Sequence, residues 1–188
     1  MAIPNTFTNG TTADADEVNE NFVEVYTPKA SGIIHQTATS YGTDYVDVSF
    51  AASELKESDS IIVEILPSEI SVAPSTPFAV FVKPVINDVT TPVNCGEMDF
   101  GTVGNGGVIS AKQIISSHRD KTDAVSNFID YSFIFQNGTN LTAGGSKTAD
   151  TGESLPLTTA FTLRIDTKKA SGTENTIRYN VYIRRGYS

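Results

Sequence analysis

Ile177-Arg178-Tyr179-Asn180-Val181-Tyr182-Ile183 lies near the end of this 188-residue chain and decides how the rest is read. Ile177, Tyr179, Val181 and Ile183 fall on one side of an extended backbone, and Arg178, Asn180, Tyr182 and Arg184 on the other. Side chains alternate across a strand, so this stretch makes a strand with one buried and one wet face. The same texture recurs upstream in Ile33–Thr37, Tyr45–Phe50, Ile61–Leu66, Phe78–Val82, Val108–Ser110, Phe128–Phe135 and Phe161–Ile165. Val, Ile, Phe and Tyr dominate the apolar residues, and these types suit strands.

About eight strands separated by Gly, Pro, Asn and Ser turns predict a mostly β protein. The expected form is an antiparallel β-sandwich of jelly-roll or Greek-key type over residues 31–188. No repeat of fixed period is present. Two stretches, Asn94–Gly107 and Gln136–Pro156, are polar and glycine-rich and read as long loops available for contacts. Ala111–Val125 reads as a long connection or a short helix.

Residues 1–30 have a different texture. Pro4, Asn5, Asn9 and Gly10 make an extended arm that ends in a turn. Asp14 then serves as an N-cap, with Glu17 completing a capping box and Asp16 in the first turn. Ala15, Val18, Phe22 and Val25 form one narrow apolar stripe, and Thr27-Pro28 ends the helix. A helix of three turns is marginal in water by itself, so the stripe must be buried on its own β-domain, on copies of itself or on a host structure. Its narrowness between polar flanks is that of a coiled-coil seam. Phe7, Ala15, Val18, Phe22 and Val25 are the candidate residues for such a contact, and the resemblance given below implies attachment or oligomerisation through them.

A net charge of −9 disfavours nucleic acid, which calls for clustered cations. The basic runs Lys168-Lys169 and Arg184-Arg185 are short and adjoin strands. No apolar run approaches the roughly 20 residues of a membrane span, and Met1–Asn5 lacks the features of a secretion signal. Neither nucleic acid nor membrane is expected as a partner.

Chemistry is not nominated anywhere. Cys95 is the one cysteine and has no histidine beside it. Gly101, Gly104, Gly106 and Gly107 make no dinucleotide or phosphate-binding loop. His118-Arg119-Asp120 lacks the companion motifs of a kinase. His35 and His118 are the two histidines, and no Gly-x-Ser-x-Gly elbow singles out a serine for either. No carboxylate pair is marked out for glycoside hydrolysis. Asp14, Asp16 and Glu17 are explained by the helix cap, so no metal site follows from them. The expectation is a protein with no catalytic site, metal or cofactor.

The phrase Phe7-x-Asn9-Gly10-Thr11-x-Ala13-Asp14-Ala15-x-x-Val18-Asn19-x-Asn21-Phe22 resembles the N-terminal segment of bacteriophage virion appendage proteins of the tail-fibre and head-fibre type. The resemblance implies a virus-particle component, commonly trimeric, whose front end docks or oligomerises while a variable β-domain is displayed. Many such proteins continue into a long shaft. This chain enters its β-domain at once, which points to a short fibre or spike, an adaptor or a capsid decoration. The implied partners are copies of itself, as a homotrimer, and other virion proteins; the implied location is the virion, after synthesis in a host cytoplasm. A second reading is a module that binds a host receptor or surface carbohydrate, with Tyr41, Tyr45, Tyr131 and Tyr182 available to stack on sugars.

Overall fold

Alternation of period two becomes eleven strands, with no helix among the described residues. The computed structural model describes residues 27–70, 78–86, 93–95, 97–103, 107–119, 125–136, 148–149, 155–169 and 175–186. Phe7, Ala15, Val18, Phe22 and Val25, and the helix expected around them, lie outside these.

In chain order the strands are β1 (Ala30–Gln36), β2 (Asp44–Phe50), β3 (Ser60–Ile70), β4 (Phe78–Ile86), β5 (Val93–Asn94) and β6 (Met98–Val103). They continue as β7 (Gly107–Arg119), β8 (Val125–Gln136), β9 (Thr148–Ala149), β10 (Phe161–Lys169) and β11 (Asn175–Arg184). Sheet A has the order β1-β11-β3-β7-β8-β9, and sheet B the order β2-β10-β4-β5 with β6 also on β4. Every pairing is antiparallel. Four pairings nest inside one another: β1 with β11, β2 with β10, β3 with β7, and β4 with β6.

The two sheets share one core, giving a sandwich-like arrangement. Ile61, Val63, Ile65, Ile109, Ile115, Ile177 and Val181 of sheet A are buried with Val48, Phe50, Ile86, Met98, Phe100, Leu163 and Ile165 of sheet B. The deciding stretch behaves as its pattern dictates. Ile177, Tyr179 and Val181 are buried, Ile183 packs on the core's rim, and Arg178 and Arg184 are exposed. Phe50 and Phe161, register partners, stack with ring centroids 4.7 Å apart and planes 3° from parallel. Opposite the buried Tyr179 stands Gly32, where a Cβ would come within 3.0 Å of the tyrosine hydroxyl; glycine leaves that ring its room. Pro67 has no N–H for the ladder, and the register of β3 against β7 shifts between Ile65 and Ser68.

All eight stretches read as strands fall on strands, with Thr37 alone lying one residue past the end of its strand, β1. Three expectations are corrected. Ala111–Arg119 is neither a connection nor a helix but most of β7, paired with β8 as far as Arg119 and with β3 as far as Ser116. Ala111, Gln113 and Ile115 point inward at period two, a pattern hidden because the inward Gln113 is polar and the outward Ile114 apolar. Asn94–Gly107 is not one loop, since it holds β6, with Cys95, Met98 and Phe100 buried. Glycine richness masked the alternation of Met98 and Phe100. Within Gln136–Pro156, Thr148–Ala149 forms β9 against β8 and Leu155 is core.

Strand directions give the sandwich two distinct ends. At the proximal end lie the entering residues Thr27–Lys29, the turn 51–59, the start of β10 and the exit at Gly186. At the distal end lie the turn 37–43, the end of β10 and the start of β11. The strand ends flanking residues 71–77, 104–106 and 170–174 are distal as well.

Candidate functional site

The distal turn 37–43 is held by carboxylates. Asp44 accepts hydrogen bonds from the backbone N–H groups of Thr37 and Ala38 and from the Thr37 hydroxyl. Such a side-chain clamp on nearby N–H groups is what makes Asp a turn former. Gly42 adopts φ 87°, a conformation that glycine takes without strain, and its N–H donates to both oxygens of Asp166 at 3.0 and 2.9 Å. Beneath the turn, Gln36 Nε2 donates to the Lys168 carbonyl at 2.9 Å, and Asn175 Nδ2 donates to Gln36 Oε1 at 3.3 Å. The turn is thereby tied to β10 and β11, more than 120 residues away in sequence.

On this frame the Tyr41 hydroxyl donates to Glu97 Oε2 at 2.5 Å. The Lys168 ammonium lies 4.4 Å from the Tyr41 ring centroid and 3.6 Å from the same Glu97 oxygen. A half-buried aromatic ring, a cation and a carboxylate thus meet at the distal end, from the turn 37–43, β10 and the β5–β6 connection. Such a group presents donors, acceptors and an apolar ring to a polar ligand.

Tyr45 and Tyr182 do not join it. Tyr45 is 41% exposed on the outer face of sheet B, with the Arg164 guanidinium 3.7 Å from its ring centroid. Asp47 receives two hydrogen bonds from Arg164, at 2.8 and 2.9 Å, and holds that guanidinium above its usual pKa. Tyr182 faces out from sheet A, and Tyr131 lies in β8 in register with Ile114.

The proximal end carries a second polar cluster that the sequence did not flag. Lys29 Nζ contacts Glu54 Oε1 at 2.6 Å and sits 5.0 Å from the Phe50 ring centroid. Arg185 donates to the Glu54 carbonyl at 2.7 Å and to Asp59 at 2.8 Å. Asp59, 1% exposed, also accepts from the N–H groups of Lys56 and Gly186, both at 2.9 Å. Burial pushes its carboxyl up, but those two N–H groups and the Arg185 cation hold it below the usual range. Glu54 is likewise lowered, by Lys29 and the Ala51 N–H acting against its partial burial. This cluster ties Lys29, at the start of the described chain, to the turn 51–59, and that turn to Arg185 and Gly186 at its end.

The basic runs are now placed. Lys168 joins the distal group, and Lys169 is 4% exposed with its N–H donated to the Ala38 carbonyl. Arg184 donates to the Ser60 hydroxyl, while Arg185 joins the proximal cluster. Cys95 is fully buried, its carbonyl accepting from Gln113 Nε2 at 2.7 Å, so the thiol is presented to no substrate. Among the described residues no group of His, Cys, Asp or Glu is arranged to hold a metal ion, and no helix is long and apolar enough to cross a membrane. No family model matches the chain, and no curated protein is similar to it in sequence.

Proposed function

We propose that the chain is a structural component of a bacteriophage particle: a short fibre or spike, an adaptor or a capsid decoration. Its segment 1–30 docks on the particle or trimerises through Phe7, Ala15, Val18, Phe22 and Val25, and its β-domain is displayed. The observation that carries this reading is the polarity of the sandwich. The chain enters at Thr27 and leaves at Gly186 from one end, while the clamped turn 37–43 and the Tyr41–Lys168–Glu97 group stand at the other. A particle component needs one end for its neighbours and one for the outside, and this layout supplies both without crossing the displayed surface.

On the same reading the sandwich is a jelly roll. Four nested antiparallel pairings are what one long hairpin produces when it winds around itself. The partners are copies of the chain, as a homotrimer, and other virion proteins, with neither nucleic acid nor membrane. The protein is not an enzyme and needs no cofactor.

A chain beginning at Thr27 tests the attachment role. It is expected to fold and to be missing from particles that incorporate the full chain, as read by immunogold labelling. Incorporation of the shortened chain at the normal level would refute it. The second reading, a receptor- or carbohydrate-binding module, is favoured by the Tyr41–Lys168–Glu97 group. If it holds, Tyr41→Ala abolishes binding to host cells without affecting incorporation.

A further inference from the structure

The outer face of sheet A carries an apolar row. Register aligns Tyr182 of β11, Ile62 of β3 and Ile114 of β7, with β8 as the next strand beyond. The inward residues on either side of Ile62 are Ile61 and Val63, both buried in the core, so Ile62 and its partners face away from sheet B. Among the described residues no third layer covers them. Farther along the same face, on β1 opposite Arg178, Ile33 is 52% exposed, the more exposed of the two large apolar residues described at the surface. Around the row Lys112, Arg178 and Arg184 are basic, and Glu64 is the one acidic side chain described there.

We propose that in the free protomer this row is the seat of the chain's own N-terminal helix, with Ala15, Val18, Phe22 and Val25 laid across β11, β3, β7 and β8. Three features favour this occupant. The segment joins the sandwich beside the seat, because Ala30 is in register with Val181 and the chain before it continues past Tyr182. The dimensions agree: Ala15 to Val25 spans about 15 Å of helix, and four strands span about 14 Å at their usual spacing. Charge is complementary as well. Residues 1–26 contain Asp14, Asp16, Glu17, Glu20 and Glu24 but no Lys or Arg, and they meet a face that is basic on balance. A second copy docking through the same face would instead bring together two surfaces of the same positive balance. The inference concerns the unassembled chain and does not rest on the virion reading.

Disulfide trapping in the full chain tests it. Phe22→Cys is paired with Ile62→Cys, a second protein carries Val18→Cys with Ile114→Cys, and a control pairs Phe22→Cys with Ser49→Cys on the outer face of sheet B. Cys95 is buried and does not compete. The expected result is an internally cross-linked monomer from either sheet A pair, with a yield independent of protein concentration. It should form about tenfold faster than in the control, as a seated rather than merely tethered segment requires. Arg178→Glu with Arg184→Glu should slow it. Covalent oligomers that grow with concentration would give the seat to a neighbouring copy and overturn the proposal. Equal rates in the control, or no cross-link in either sheet A pair, would overturn it too.

Discussion

Asp59 concentrates more stabilising contacts than any other described side chain at the proximal end, and its titration gives the protein a readable signature. Its folded pKa lies below the unfolded one, so the folded state binds fewer protons. Stability from this group is complete above the unfolded pKa and drains as pH falls through the folded one. The melting temperature is therefore expected to be flat near neutrality and to fall below about pH 5, with Glu54 contributing in the same direction. Asp59→Asn should cost about 1–3 kcal/mol at pH 7 and make the acid limb shallower. Thermal melts from pH 3 to 8 decide this; an unchanged acid limb in the variant would sink it. Asp47 provides the contrast. Its pair with Arg164 is geometrically good but open to water, so Asp47→Ala should cost at most about 1 kcal/mol.

At the scale of elements, β2 and β10 are joined by the Phe50–Phe161 stack at the proximal edge of the core. Phe50→Ala empties a site that is 1% exposed and should cost about 3–5 kcal/mol. Ser49→Ala, one residue away on the wet face, should stay within about 0.5 kcal/mol. Urea denaturation of the pair measures the difference, and equal costs would contradict the inward assignment of Phe50. The strand β7 shows why some elements were hidden. Its inward Gln113 looks like a surface residue, yet its amide donates to the Cys95 carbonyl across the core. A buried polar side chain interrupts an apolar pattern without interrupting the strand.

For the whole molecule, the chain beginning at Thr27 keeps Lys29 and its contacts with Glu54 and Phe50. It should give a β-dominated circular-dichroism spectrum and one cooperative melt, at a lower midpoint than the full chain. Phe22→Ala in the full chain should lower the midpoint in the same direction, since it uncovers part of the seat on sheet A. A helix-dominated spectrum, or failure of the shortened chain to fold, would show that residues 1–26 belong to the core itself.

What the sequence determined by itself is local. Alternation at Ile177–Ile183, Tyr45–Phe50 and Ile61–Leu66 reports which side chains turn inward, because side-chain direction along a strand depends only on the neighbouring residues. The eight strands and most of the core were legible for that reason. Which strands pair, where the two ends lie, and what Lys168, Lys169, Asp59 and Arg185 touch were decided by the tertiary structure alone. The long-range ones among those contacts join residues about 70 to more than 130 positions apart, such as Glu97 with Lys168 and Glu54 with Arg185. Their partners are chosen by the closing of two sheets around one core, which no local spacing encodes.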